Sequence, residues 1–290
     1  MSDQALKHFG VTAADLLGSG VQSRAYALGE GGVLRVFSDK TTLAHVQALE
    51  AFYRRLDSQA APFQIPRFDE VREIAGSACV VEARIPGIEL TRFLETAAPS
   101  ARQRALSSYM AAAGQIQLIG FDAPYHGQIL GAAPVRAETW PDYLSGRAQA
   151  SLDQAPWARA DLIQPARALE RLHHLAQSRA DAPRRLAHGD YHPGNVLVDD
   201  EGQVTGVIDF SVQAVMGDPL LDLTSAAFFF DDKADRAYAA SQAHSLSADL
   251  FAQASELYWL YYSFFYLSAK AAKPALYDLC VRSLNAAAEA

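Results

Sequence analysis

The segment from His188 to Phe210, HGDYHPGNVLVDDEGQVTGVIDF, most strongly constrains how this chain can fold. It contains two apolar, β-branched runs, at residues 196–198 and 204–208, on either side of an acidic stretch that ends in glycine, at residues 199–202. Short β-branched runs around a four-residue turn of this kind are typical of a β-hairpin. We therefore predict a hairpin whose turn lies at residues 199–202.

Three oxygen-bearing side chains converge at the open end of this predicted hairpin. Asn195 and Asp209 flank its two strands, and Asp190 lies just upstream in a loop that Pro193 and Gly194 keep out of a helix. Oxygen ligands suit Mg²⁺, which shares its coordination shell with water and phosphates. A phosphoryl-transfer site needs such ligands, and it also needs a carboxylate that orients the attacking hydroxyl. The cluster therefore predicts that chemistry.

The order and spacing of these residues resemble the catalytic core of the aminoglycoside phosphotransferase family. Asp190 is followed five residues later by Asn195 and then by Ile208-Asp209-Phe210, and the segments 188–192 and 217–222 also match. Members of this family have a protein-kinase-like fold and phosphorylate small molecules. The resemblance implies that Asp190 is the catalytic base, that Asn195 and Asp209 hold Mg²⁺, and that ATP donates the phosphate.

Three neighbouring residues are expected to support this loop. For Asp218 and Asp222 we favour bracing of the catalytic loop or helix capping, and contact with a cationic substrate is the alternative. His188 is expected to brace the loop as well. A zinc site shared with His192 is disfavoured, because two histidines four residues apart need a helix to point the same way, and Pro193 prevents one.

The resemblance implies an α+β chain with a bilobal, protein-kinase-like fold. Residues 1–85 are expected to form a small N-terminal nucleotide-binding lobe, built from an antiparallel sheet and one helix. Residues 86–290 are expected to form a larger, mainly helical C-terminal lobe that carries the catalytic loop and the substrate pocket. A length of 290 residues fits one such bilobal unit.

A short polar stretch near the N-terminus contains Gly18, Ser19, Gly20 and Ser23 between apolar segments. Such a loop lets backbone N–H groups approach phosphates. The composition alone is also typical of an ordinary turn. However, the stretch precedes predicted strands and a helix, as the phosphate-covering loop of the family does, so we expect it to contact ATP.

The predicted strand at residues 33–37 carries Arg35 where kinase-like folds have a lysine that contacts the α- and β-phosphates. Arginine keeps the positive charge and can bind phosphate with two parallel hydrogen bonds, but it is longer and differently shaped. Glu50, in a predicted helix at residues 41–56, is the expected ion-pair partner. If Gln47 occupies that place instead, no ion pair forms.

The end of the predicted strand at residues 78–84 resembles the hinge between the two lobes in this family. The resemblance implies that this segment, Val80 to Gly87, brings Glu82 and Arg84 close to the nucleotide. In the family the backbone N–H and C=O groups of this segment bind the adenine edge. The side chains therefore matter little to that contact.

The net charge of −8 argues against nucleic acid as the main partner, because phosphate-binding surfaces are basic. It favours a cationic small-molecule substrate. The N-terminal residues lack the apolar stretch of a signal peptide, and the most apolar run, residues 257–267, is too short to span a bilayer. Cys79 and Cys280 are typical of reduced structural thiols. We therefore expect a cytoplasmic protein without a membrane partner.

Other functions remain open at the level of sequence. The arginine at position 35 leaves room for a nucleotide-binding regulatory protein with little or no catalysis, although the intact Asp190, Asn195 and Asp209 argue against it. A kinase acting on proteins is less well supported, because no activation segment follows Asp209. The aromatic helix predicted at residues 248–270 could form a box for a quaternary ammonium group. Aromatics on all its faces instead favour burial against neighbouring helices.

Overall fold

The computed structural model describes residues 3–20, 22–230, 232–243 and 246–289; Val21, in the glycine-containing loop, lies outside these ranges. The N-terminal part is a five-stranded antiparallel sheet flanked by two helices. The strands are β1 (Leu16–Ser19), β2 (Ser23–Leu28), β3 (Gly32–Phe37), β4 (Phe68–Ile74) and β5 (Ser77–Ala83), and the helices are α1 (Asp3–His8) and α2 (Leu43–Tyr53). The strand order is β1-β2-β3-β5-β4, so β3 lies directly beside β5.

Helix α2 begins where the sequence supplies a cap. The Thr42 side-chain oxygen accepts a hydrogen bond from the backbone N–H of His45 at 3.2 Å, which satisfies one of the free donors of the first turn. The helix buries Val46, Leu49 and Phe52, and these side chains belong to the main hydrophobic core of the molecule. The predicted helix is confirmed, with ends a few residues inside the expected range of 41–56.

The remainder of the chain is mainly helical, with short strand pairs. Its helices are α3 (Leu90–Thr96), α4 (Pro99–Gln115), α5 (Trp140–Gln154), α6 (Pro165–Gln177), α7 (Leu220–Ser225), α8 (Lys233–Ser241), α9 (Ala248–Phe265) and α10 (Pro274–Glu289). Its strands are β6 (Ile88–Glu89), β7 (His126–Gln128), β8 (Arg136–Ala137), β9 (Arg185–Ala187), β10 (Val196–Val198), β11 (Val204–Val207) and β12 (Val215–Gly217). None of the helices in the described part of the chain combines the length and apolarity needed to cross a membrane.

The predicted hairpin is confirmed as the antiparallel pair β10–β11, with Val196 opposite Val207. Asp199 closes its turn, because its Oδ1 accepts hydrogen bonds from the backbone N–H groups of Glu201 and Gln203 at 3.0 and 2.8 Å. At the other end, the backbone N–H of Ile208 donates to the carbonyl of Asn195 at 2.9 Å. This bond brings the two ends of the hairpin together.

The aromatic helix α9 is largely buried, as expected from aromatic residues on all its faces. Tyr258, Tyr261 and Tyr262 are each at most 5% exposed, and Trp140 on α5 donates its Nε1–H to the hydroxyl of Tyr258 at 3.0 Å. The hydroxyl of Tyr258 in turn donates to Asp218 at 2.6 Å. Buried phenols need such partners, so these contacts fix the register of α9 against α5 and the segment before α7.

The loop that follows β9 is held by one buried carboxylate, that of Asp222 on α7. It accepts hydrogen bonds from the backbone N–H groups of His188 and Gly189, at 2.6 and 2.9 Å. Gly189 has a φ of 73°, and a Cβ there would lie 2.0 Å from the carbonyl oxygen of Gln213. The expected bracing role of Asp222 is confirmed. Burial raises the pKa of its carboxyl, against the effect of His188 and of the two donors.

We expect Asp222→Asn to lower the free energy of unfolding by about 1–3 kcal/mol, the cost of leaving one buried donor unpaired. An asparagine can accept one of the two backbone hydrogen bonds, but its NH₂ group faces the other donor. Urea denaturation measures the loss. Asp199→Asn is the matched control: its oxygen can still accept in a turn open to solvent, so we expect a change within about 0.5 kcal/mol. Equal losses in the two variants would contradict the bracing role.

Candidate active site

Two adjoining cavities lie where the sheet meets the helical part, and they share Arg35 and Glu89 as walls. The first, the apolar cavity, has a volume of about 300 Å³. Aliphatic side chains dominate its walls: Leu17, Ala25, Val33, Pro66, Ile85, Ile88, Leu197 and Ile208. The second, the polar cavity, has a volume of about 440 Å³. It contains the cluster predicted from the hairpin: Asp190, Asn195 and Asp209.

These three residues are brought together by backbone contacts within a short stretch of chain. Asp190 follows β9, and Asn195 ends the turn that leads into β10. The Asn195 side-chain amide donates its Nδ2–H to the carbonyl oxygen of Asp190 at 2.9 Å. Because the nitrogen is used in this bond, the Oδ1 of Asn195 remains as the free acceptor of the amide.

The donor set in the polar cavity fits a magnesium ion. Asn195 offers its Oδ1, and the carboxylate of Asp209, 54% exposed as a side chain, offers further oxygens. Mg²⁺ is usually held by one or two protein oxygens, and phosphates and water complete its shell. Two donors beside a cavity of this size therefore match the ion's ordinary requirements.

The Asp209–Phe210 segment is held in an uncommon conformation. Asp209 has a φ of 66°, a left-handed value that few residues other than glycine adopt. Phe210 is buried, with its ring centroid 4.5 Å from that of His188, and its carbonyl oxygen accepts a hydrogen bond from the hydroxyl of Tyr53 at 3.2 Å. Helix α2 and the loop after β9 together fix the direction of the Asp209 carboxylate.

Arg35 lies on β3 between two carboxylates. Its Nη2 donates to Oε1 of Glu82 at 3.0 Å, and its Nη1 lies 3.6 Å from Oδ1 of Asp209. Arg35 faces Val80 across the β3–β5 ladder, so Glu82 lies two residues further along the neighbouring strand, within diagonal reach on the same face. Burial lowers the pKa of Arg35, but the attraction of Glu82 and Asp209 outweighs it and the pKa is raised.

The expected ion pair between Arg35 and Glu50 is wrong. Glu50 pairs instead with Arg54 one helical turn away, at 2.6 Å, and it lines neither cavity. Gln47, the alternative position, is exposed. The physical reason is distance: an acid on the adjacent strand reaches the guanidinium directly, whereas Glu50 lies on a separate helix and has a nearer partner.

The remaining predicted residues lie along the same two cavities. Gly18 lines the apolar cavity, and Ser19, Gly20 and Ser23 line the polar one. The backbone N–H of Gly20 donates to the carbonyl of Ser23 at 2.9 Å, which closes the turn between β1 and β2. Arg84 lines the apolar cavity next to Ala83 and Ile85.

Two residues of the site received no functional role from the sequence, where Glu89 was not considered and His192 appeared only in the matching motif and in the disfavoured zinc site. Glu89 lines both cavities, and His192 lines the polar one. The Nδ1 atom of His192 accepts a hydrogen bond from the backbone N–H of Gly194 at 3.1 Å. Burial lowers the pKa of His192, and nearby Asp190 opposes this effect. His192 stands inside the polar motif of the sequence, but a motif cannot show which of its members face the cavity.

Comparison with known proteins decides the family. The profile of the phosphotransferase enzyme family matches residues 14–257, which is most of the chain. The chain belongs to this family. This match confirms the family resemblance that was inferred from the sequence motifs. A sequence search against curated proteins finds no match.

Several solved structures similar to this phosphotransferase are aminoglycoside phosphotransferases. The GDP and kanamycin complex of APH(2")-IIia has a TM-score of 0.63 at 15% identity, covering 98% of this chain and 96% of that one. APH(3'')-Id from Streptomyces rimosus, with ADP and streptomycin, has a TM-score of 0.59 at 19% identity, covering 92% and 99%. ADP-bound APH(2'')-Ib has a TM-score of 0.58 at 15% identity, covering 94% and 92%. The predicted bilobal α+β fold is confirmed.

The Arg35–Glu82 pair generates a prediction about stability. Glu82→Gln removes the charge that compensates the buried guanidinium, and breaking a buried ion pair on one side typically costs about 3–5 kcal/mol. Because glutamine keeps one hydrogen-bond acceptor, we expect a loss at the lower end of this range. The free energy of unfolding, measured with urea, should fall by about 3 kcal/mol.

Glu50→Gln is the matched control for this experiment. It disrupts a pair whose arginine side chain is 70% exposed, and such helix-surface pairs contribute about 0.3–0.5 kcal/mol. A loss in Glu50→Gln as large as that in Glu82→Gln would show that the buried pair is no more important than the surface one.

Proposed function

We propose that this phosphotransferase transfers the γ-phosphate of ATP to a hydroxyl group of a small molecule, with Mg²⁺ as the metal. The observation that carries the proposal is the convergence of Asp190, Asn195 and Asp209 in one polar cavity that adjoins an apolar one. In this proposal residues 1–85 form the nucleotide-binding lobe. Residues 86–290 carry the catalytic loop and the acceptor site.

The apolar cavity supports the assignment of a purine site. Val33 on the sheet and Leu197 on the hairpin lie on its walls, and such aliphatic walls suit the flat faces of a base. Ala83, Arg84 and Ile85 form another part of the wall, where backbone polar groups of the chain can meet the edge of the base. The proposal therefore places adenine here.

The phosphates would then extend into the polar cavity. Ser19, Gly20 and Ser23 lie along its wall with Arg35. A guanidinium can bind phosphate oxygens with two parallel hydrogen bonds. Arg35 lines both cavities, so it stands where a nucleotide spanning them would carry its first phosphates.

The reaction needs one proton acceptor and one leaving group. The hydroxyl oxygen of the small-molecule substrate forms a bond to the γ-phosphorus. As it does so, the hydroxyl proton passes to the carboxylate of Asp190. The bond between that phosphorus and the bridging oxygen breaks, and ADP leaves with the electron pair. Asn195 and Asp209 would hold Mg²⁺, which neutralises charge on the phosphates.

The acceptor is proposed to be a cationic small amino alcohol. The chain carries a net charge of −8, and two half-buried aromatic rings, Phe229 and Tyr266, lie with their centroids 6.2 Å apart. The ring of Phe229 is also 5.9 Å from that of His192, which lines the polar cavity. Ring faces beside a carboxylate attract an ammonium group. Similar structures contain kanamycin and streptomycin, so these are suitable first probes.

Asp190→Asn should bind Mg-ATP as the wild type does and turn over slowly. Loss of a general base typically lowers the rate by about 10²–10⁴-fold. Acceptor-dependent ADP release with kanamycin, streptomycin and gentamicin measures turnover, and calorimetry measures nucleotide binding. Asp200→Asn, in the exposed turn of the hairpin, is the control and should behave like the wild type. Unchanged turnover in Asp190→Asn would rule out its role as the base.

Asp209→Asn should instead lose metal-dependent nucleotide binding. Even an outer-shell partner of a metal typically contributes about 10–100-fold to affinity, so loss of a ligand should weaken Mg-ATP binding at least as much. Affinity for ATP without Mg²⁺ serves as the internal control and should change little. If Mg²⁺ strengthened ATP binding equally in the variant and the wild type, Asp209 would not be a ligand.

A further inference from the structure

The geometry of the His192 ring fixes the position of its proton. Its Nδ1 accepts a hydrogen bond from the backbone N–H of Gly194 at 3.1 Å. A backbone N–H can only donate, so Nδ1 carries no proton, and the neutral ring must carry its proton on Nε2. Among the described residues no hydrogen-bond partner faces this Nε2–H group.

The ring is also held in place by packing. A Cβ atom at Gly194 would lie 2.8 Å from Cε1 of His192, so glycine at 194 allows the backbone to approach the ring edge. The ring of Phe229 lies 5.9 Å away, centroid to centroid. His192 further anchors the turn through its carbonyl oxygen, which accepts from the backbone N–H of Asn195 at 2.9 Å. The donor is therefore preoriented before any ligand binds.

The wall of the polar cavity carries more negative than positive charge, so a bound phosphate group needs an additional hydrogen-bond donor. Its charged wall residues are the carboxylates Glu89, Asp190 and Asp209 and the single guanidinium of Arg35. Arg35 is already engaged by Glu82 at 3.0 Å. A phosphoryl group in transfer spreads negative charge over three oxygens, and each oxygen is stabilised by donors that are fixed in advance.

We propose that the Nε2–H of His192 donates a hydrogen bond to the terminal phosphoryl group of the bound nucleotide. This inference rests on the phosphoryl-transfer function proposed above. During transfer the acceptor oxygen bonds to the γ-phosphorus, the bond to the bridging oxygen breaks, and the hydroxyl proton passes to Asp190. His192 keeps its proton throughout and acts as a donor to the group that moves.

Two substitutions separate this role from simple support of the loop. In His192→Asn the side-chain oxygen takes the place of Nδ1, so it can accept from Gly194, but nothing replaces Nε2. In His192→Gln the amide nitrogen reaches the place of Nε2, while the contact to Gly194 is lost. Asparagine is also a favourable residue at a helix or turn start, so the first variant should keep the loop folded.

The measurement is the affinity for Mg-ADP and for the magnesium complex of the non-hydrolysable ATP analogue AMP-PNP, by calorimetry. ADP lacks the terminal phosphoryl group, so its affinity reports folding and the rest of the site. A hydrogen bond to a charged group is worth at least about tenfold in affinity. We expect His192→Asn to lose about tenfold for AMP-PNP and to bind ADP normally, and His192→Gln to bind both nucleotides nearly as the wild type does.

The outcomes distinguish this inference from the function on which it rests. If His192 only supports the loop, the two variants exchange their behaviour: His192→Asn binds AMP-PNP like the wild type and His192→Gln binds it more weakly. That result would overturn this inference but not the proposed function. Equal losses of ADP and AMP-PNP affinity in His192→Asn would also overturn it. A wild-type protein that binds neither nucleotide would overturn the proposed function, and the inference with it.

Discussion

The proposed active site depends on the hydrogen bonds that the buried carboxylate of Asp222 accepts. Its two backbone hydrogen bonds, to His188 at 2.6 Å and Gly189 at 2.9 Å, set the course of the loop that carries Asp190. The His188 ring then donates from Nε2 to the carbonyl of Ile208 at 2.9 Å, next to Asp209. These hydrogen bonds connect the loop of Asp190, the proposed base, with the segment of Asp209, the proposed metal ligand. Because the bonds in this network are satisfied and largely buried, the two segments are held in one relative position.

The Arg35–Glu82 pair shows how a departure from the kinase pattern is accommodated. Both residues belong to neighbouring strands of one sheet, so the position of the guanidinium is set by the sheet and does not require an acid from helix α2. The unpaired buried atoms in this region include Arg35 Nε and Glu82 Oε2. These are a donor and an acceptor of the same pair, and a side-on arrangement with two parallel hydrogen bonds would satisfy both.

The family motifs and the residues of the proposed acceptor site are different parts of the molecule. The cavities that suit a nucleotide are built from the sheet and the hairpin, which also carry the motifs of the family. Phe229, whose ring lies beside His192, comes from the segment after α7, and Tyr266, whose ring lies beside Phe229, directly follows α9. Because neither residue belongs to the motifs that resemble the family, the phosphotransfer machinery can be shared while the acceptor differs.

The sequence by itself determined the features that depend on neighbouring residues. The hairpin and the convergence of Asn195 and Asp209 at its open end follow from turn chemistry and strand alternation over a few residues. Tertiary structure alone decided the partner of Arg35, because the choice between Glu50 and Glu82 depends on which strand lies beside β3. It also decided that His192 faces the polar cavity. Contacts between distant segments are set by packing of the whole core, and local patterns do not encode them.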